Sequence, residues 1–226
     1  MKDLALNITM ALLLAFNSIT MASPKSPPTH IRHQSVPILG VTLDKTKRPS
    51  GIVMYVMIHF QKRADHDGLK VHFRNVQGRF GPMARKSVAT SIDLAAKAAK
   101  LKADSWTVIL EFPYAGLTMY GDSLSAMIAL SVIALAKNDA VKYGRTLTGT
   151  ILKNGRIGKV TGIPYKVYAA HAAGLDQVLI PDEYHPLDGE WQLPFLMDIL
   201  HVGTLEKAYR RLTDRPLFPK YFCCND

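Results

Sequence analysis

Two side chains in this sequence have the chemistry of a nucleophile and of the base that activates it. Ser125 stands in Gly121-Asp122-Ser123-Leu124-Ser125-Ala126, at the head of an apolar stretch, and Lys166 follows one strand pair later in Thr161-Gly162-Ile163-Pro164-Tyr165-Lys166-Val167-Tyr168-Ala169-Ala170. A serine hydroxyl is a weak nucleophile until a neighbouring group takes its proton. A lysine does so once burial makes its charged form costly and draws its pKa down from about 10.4 towards neutrality. The pair predicts acyl transfer by a serine–lysine hydrolase.

The surroundings of each residue give the pair its context. Asp122 or Ser123 suits the cap of a helix running from about 123 to 142, which puts Ser125 in the first turn. Backbone N–H groups there have no partner within the helix, and the dipole favours an anion, so they suit an oxyanion at a substrate carbonyl. Lys166 falls on the apolar stripe of Ile163, Val167, Ala170 and Ala173 in a helix predicted over 163–173 and ended by Gly174. That placement is compatible with a snorkelling side chain, stem on the apolar face and ammonium in water, or with a buried neutral amine. Thr148, in Thr146-Leu147-Thr148-Gly149, sits between the two helices, where it either donates a hydrogen bond that orients the amine or is a plain strand threonine. The histidines include no His-Glu-x-x-His, their only close pair is His30 and His33, and no Cys/His metal spacing exists. No metal and no cofactor is expected. Cys223 and Cys224 are adjacent, contribute little to a core, and are given no catalytic role.

A single body must position these groups. The chain has 226 residues, enough for one sizeable core, and its 48% hydrophobic and 20% charged composition is that of a globular protein. The net charge of +10 therefore belongs to a folded surface. Lys62, Arg63, Lys70, Arg74, Arg79, Arg85 and Lys86 are opposed locally only by Asp65 and Asp67. This stretch reads as a solvated basic face or as a surface for polyanions, and without a nucleic-acid motif no nucleic-acid partner is expected. Strands are predicted over 36–43, 51–60 and 69–76, forming an antiparallel meander, with an amphipathic helix over 82–101 and a buried strand over 106–112. A loop over 113–121 leads into the serine helix. Two strands over 146–152 and 156–160, joined at Lys153-Asn154-Gly155, precede the lysine helix. A strand over 178–181, another over 198–202 and a helix over 204–212 close the domain. Mixed strands and helices without a repeat predict a single α+β domain over 35–213, with a tail over 214–226.

The amino terminus reads as a signal peptide over 1–22, with Lys2 near its start, an uncharged stretch and small residues ending at Thr20-Met21-Ala22, followed by a Pro/Ser linker over 23–34. Cleavage after Ala22 predicts a periplasmic or secreted protein with no stable membrane span. The competing reading is an uncleaved anchor over 4–22, which its polar residues make a poor permanent span.

At the residues that carry the chemistry, the sequence resembles the proteolytic domain of Lon proteases. Asp122-Ser123-Leu124-Ser125-Ala126, Leu147-Thr148-Gly149, Gly162-Ile163-Pro164-Tyr165-Lys166 and Gly174-Leu175-Asp176-Gln177-Val178-Leu179-Ile180-Pro181 look like that family's successive motifs. The resemblance implies the family's fold, with Ser125 as nucleophile, Lys166 as general base, and Thr148 and Asp122 as supporting residues. It implies polypeptide substrates, and the family's ring assembly makes a homo-oligomer a candidate partner. Ser123-Leu124 stands where the family has Gly-Pro, Met127 and Thr161 each replace a Gly, and Thr150 replaces a Glu, which reduces backbone freedom beside the serine. The stretch 155–161 resembles a phosphate loop, but Lys153 occupies its first glycine position and Val160 follows Lys159. The expected protein is an exported, ATP-independent serine endopeptidase. The alternatives are a catalytically inactive Lon-like binding or assembly module and a basic polyanion binder.

Overall fold

The computed structural model describes residues 31–74, 77–183, 185–189 and 191–218. The predicted signal peptide, most of the linker and the end of the tail, with Cys223 and Cys224, lie outside these residues. β1 (Arg32–Leu43) and β2 (Pro49–Lys62) form a long antiparallel ladder from Arg32↔Phe60 to Leu43↔Pro49. Its turn is organised by Asp44, whose Oδ1 accepts from Thr46 N at 2.7 Å and Arg48 N at 2.9 Å. β1 thus includes Arg32 to Gln34, which composition placed in the linker, and Arg32 Nη1 donates to Leu135 O at 2.6 Å.

β3 (Lys70–Arg74) does not continue a meander. After the short β4 (Arg79–Phe80), α1 (Pro82–Ala98) carries the chain across to β5 (Trp106–Glu111), which inserts between β2 and β3 to give the order β1-β2-β5-β3. β5 is antiparallel to β2 and parallel to β3. Burial explains the corrected order. Trp106, Val108 and Leu110 of β5 are buried, whereas Lys70, His72 and Arg74 suit the solvated edge strand that β3 becomes. A helical crossover is also what joins neighbouring parallel strands. α1 ends at Ala98, short of the expected 101, because Lys100 turns left-handed and Leu101 N bonds Ala96 O at 2.9 Å.

The loop read over 113–121 contains β6 (Thr118–Met119), which pairs with β4 in parallel. α2 (Ser125–Lys137) follows, and every residue from Ser125 to Leu135 is buried, as expected of a helix apolar all round. It packs against α1 and the β1–β2 ladder. Asn138 in the left-handed conformation ends it, five residues before the predicted 142.

The strand predicted over 146–152 splits at Thr148-Gly149 into β7 (Arg145–Leu147) and β8 (Thr150–Ile151). Gly149 N–H donates to Ser123 O at 2.8 Å and Gly149 O accepts from Ala126 N–H at 3.1 Å, so this backbone serves the head of α2 rather than a ladder. β8 pairs antiparallel with β9 (Ile157–Gly158). After α3 (Ile163–Ala172), β10 (Gln177–Pro181) returns parallel to β7 and lies beside β11 (Asp198–Val202), giving the order β11-β10-β7. α4 (Leu205–Thr213) starts at Thr204, whose Oγ1 accepts from Lys207 N.

Among the described residues, mixed sheets and four helices make the α+β fold that the sequence predicts. The apolar interior divides into two clusters. The larger includes α1, α2 and the inner residues of the four-stranded sheet; the smaller joins Leu39 and Val160 to Ile163, Val167 and Ala170 of α3 and Val178 and Ile180 of β10. Among the described residues no helix is long and apolar enough to cross a membrane.

Candidate active site

Ser125 is the first residue of α2 and 0% exposed, and its Oγ is buried without a hydrogen-bond partner among the described residues. The expected cap differs. The cap position is Leu124, no side chain caps the helix, and Ser125 N–H donates to the Asp122 carbonyl at 2.9 Å. With Ala126 N–H on Gly149 O, two first-turn amides expected to be open already have carbonyl partners. The altered residues Ser123 and Leu124 form the turn that makes these bonds.

Lys166 does not snorkel. It is 3% exposed, between Ile163 and Val167 of the smaller cluster, whereas Ala173, expected on the same stripe, is exposed. Nζ donates to Thr148 Oγ1 at 3.1 Å and to Thr161 O at 2.9 Å. Burial draws its pKa from the ordinary lysine value down to about 8, against the opposing pull of the Asp188 and Asp122 carboxylates. Thr148 is fully buried and sits directly after β7. Its role in the hydrogen bond is the reverse of that expected: it accepts from the amine and turns its own O–H towards Ser123 O at 3.5 Å.

The structure therefore brings Lys166 and Thr148 into contact. Thr148-Gly149 also ties that contact to the head of α2, but no hydrogen bond joins Ser125 Oγ to the amine. Asp122 lies exposed on the turn before α2. Asp122, Ser123, Leu124 and Lys166 line a cleft of about 330 Å³, with Ile38 to Thr42 of β1 on one side and Leu117 to Tyr120 on the other. Ser125, fully buried, is not among the residues that line it.

One residue of the site escaped the sequence reading. Asp188, at the end of a 3₁₀ turn over Pro186–Asp188, accepts from Gly162 N–H through Oδ1 at 2.6 Å at the start of α3. The available signal was indirect: α3 opens on a glycine, which has no side chain to cap it, so its first amides need an acceptor from elsewhere. Among the described residues no group of three or more His, Cys, Asp or Glu could hold a metal ion. The basic stretch is partly neutralised, with Arg63 on Asp65, Lys70 on Asp67 and Arg74 on Glu111.

A buried serine at the head of an apolar helix and an amine buried on a second helix are side chains of the kind that a hydrolytic site uses. The chain belongs to the Lon family: the sequence pattern of the Lon protease (S16) C-terminal proteolytic domain matches residues 74–188, half of the chain. Lon protease 2 of Hydrogenovibrio crunogenus is 29% identical over 124 residues, 50% of this chain and 14% of that protein. An archaeal Lon protease of Methanothermobacter thermautotrophicus is 31% identical over 104 residues, 46% of this chain and 16% of its own length. The human peroxisomal Lon protease homolog 2 is 37% identical over 78 residues, 34% of this chain and 9% of its own. The matches thus span only a small part of these relatives. Family membership supports a serine peptidase activity.

Proposed function

We propose that this protein is an ATP-independent serine endopeptidase that cleaves polypeptides through an acyl-enzyme on Ser125, with Lys166 as general base. The observation that carries this reading is the Lys166 amine, buried on the fold side of an open cleft, held by Thr148 and brought to a pKa of about 8. About half of it is neutral at that pH and roughly a tenth at pH 7. The neutral amine takes the Ser125 proton as Oγ bonds to the substrate carbonyl carbon. The resulting ammonium returns the proton to the departing amine as the peptide C–N bond breaks. Water, deprotonated by the same amine, then attacks the ester carbonyl, and the ammonium returns that proton to Ser125 Oγ as the ester C–O bond breaks. The Ser125 N–H reaches the oxyanion once the Asp122–Leu124 turn releases it from the Asp122 carbonyl. Asp122 and Thr148 support the pair, the first by its charge and the second by fixing the amine.

The test is hydrolysis of an unfolded casein-type substrate by the parent, Ser125→Ala and Lys166→Ala, with and without Mg-ATP. Loss of turnover in both variants and indifference to nucleotide support the proposal; undiminished cleavage by either variant ends it.

The second reading, a non-catalytic Lon-like binding or assembly module, is favoured by the unpartnered Ser125 hydroxyl and by the engaged amides of Ser125 and Ala126. A serine-directed phosphonylating probe separates the two. Labelling lost in Ser125→Ala belongs to the peptidase, and a chain that never labels belongs to the module.

A further inference from the structure

We propose that Asp188 is a positioning residue for Lys166 and acts through the single peptide unit between Thr161 and Gly162. The N–H end of that amide, on Gly162, donates to Asp188 Oδ1 at 2.6 Å, and its C=O end, on Thr161, accepts from Lys166 Nζ at 2.9 Å. A planar amide holds its two ends in fixed opposition. A carboxylate bound at the N–H end polarises the unit and makes its carbonyl a stronger acceptor, so the hydrogen bonds reinforce one another in series. Asp188 Oδ2 also lies 3.4 Å from Ile163 N–H, so both carboxylate oxygens face the opening of α3. α3 needs this support, because its cap residue, Gly162, has φ 72° and supplies no side chain.

Asp188 therefore does two things for the amine. It fixes the carbonyl that, together with Thr148 Oγ1, sets where Nζ points. It also counters burial by favouring the ammonium, a role shared with Asp122 on the other side of the amine. The ionisable groups facing Lys166 are thus Asp188 from the 3₁₀ turn and Asp122 from the turn before α2, while the segment after β7 presents the neutral Thr148. Without the two carboxylates, burial would draw the amine's pKa lower still.

The inference rests on Lys166 being the general base, and its test is read separately from that claim. In the full chain, the Lys166 side-chain signal is titrated by NMR in parent, Asp188→Asn and Asp188→Ala, assigned by its absence in Lys166→Arg, and the pH profile of kcat/KM is measured alongside. Asp188→Asn keeps an oxygen for the Gly162 amide and removes the charge. Its Lys166 midpoint is expected to fall by roughly half a pH unit or more, the acid limb of the profile to move with it, and kcat to fall severalfold with little change in KM. Asp188→Ala, which also frees the amide, is expected to lose roughly tenfold or more in kcat, and Asp188→Glu to restore part of it. An unmoved Lys166 midpoint in folded Asp188→Asn overturns the proposal, and so does a failure of Asp188→Asn to fold, which assigns Asp188 to structure alone. A shifted midpoint together with undiminished cleavage by Lys166→Ala leaves the Asp188 linkage standing and removes the dyad.

Discussion

Lys166 Nζ and Thr148 Oγ1 lie 3.1 Å apart in a buried contact that joins the first turn of α3 to the residue after β7. The amine needs this acceptor because it has left water, and among the described residues the threonine is the side chain that gives it one. Thr148→Val keeps the shape and removes the oxygen. Turnover is expected to fall about ten- to a hundredfold, with the acid limb moved to lower pH because the ammonium loses a partner. Steady-state kinetics across pH, with a melting curve to establish folding, checks this.

The pH dependence of the parent follows from the same amine. Only its neutral form can act as a base, so kcat/KM should rise through an acid limb near pH 8, the value to which burial draws Lys166. A limb below pH 6 would assign the base to another group.

Parent stability should rise with pH, as activity does, whereas removal of Lys166 should raise stability while abolishing activity. Lys166 binds its proton less tightly in the fold, at about 8, than in the unfolded chain, near the model lysine value of 10.5. Between these values the unfolded chain holds more protons, so parent stability rises with pH across that window, and the full penalty is present below pH 8. Lys166→Met, which fills the site without a charge, is expected to stabilise the inactive protein by about 1–3 kcal/mol at pH 7. The advantage should shrink from pH 8 to pH 10, as urea unfolding at several pH values would show.

Gly51 tests how closely α3 must seat. A β-carbon at this position in β2 would collide with the Tyr165 carbonyl and approach the Ala169 side chain at 2.8 Å. Gly51→Ala must push away the helix that carries Lys166. A loss of about 1–3 kcal/mol is expected, with a disproportionate fall in kcat. Parent-like kinetics in a folded Gly51→Ala would show that the amine tolerates displacement of α3.

Export is a proposal carried by the first 22 residues. Expression in a bacterial host with fractionation, followed by mass spectrometry of the recovered protein, should find a chain beginning at Ser23 outside the cytoplasm. An intact Met1 in the cytoplasmic fraction refutes it.

Much of the fold was legible because burial has a period. The apolar stripes of α1 and α3, the unbroken apolarity of α2 and the alternation in β5 each mark buried faces, and the order of motifs marked Ser125 and Lys166. Partner choice has no such period. Nothing local in β3 says that β5, more than thirty residues on, will lie between it and β2. The same gap hid the site's finer structure. Gly149 gives its backbone to the turn before Ser125, and Asp188 reaches Gly162 from a loop; both are contacts between a carbonyl or carboxylate and an amide distant in sequence. The direction of the Thr148–Lys166 hydrogen bond depends on the second acceptor, Ser123 O, which no spacing reveals.

The two apolar clusters divide the site between them, since Ala126 and Met127 beside Ser125 belong to the larger and Ile163 and Val167 beside Lys166 to the smaller. The seam runs through adjacent residues of single strands, Ile38 and Leu39 in β1, and Leu179 between Val178 and Ile180 in β10. Successive residues of a strand face opposite sides of the sheet, so Ser125 and Lys166 are packed on opposite faces of strands that both clusters share. In the proposed mechanism the spacing of the two residues is set through these shared strands, and amide exchange along β1 and β10 reports how stiffly they hold it.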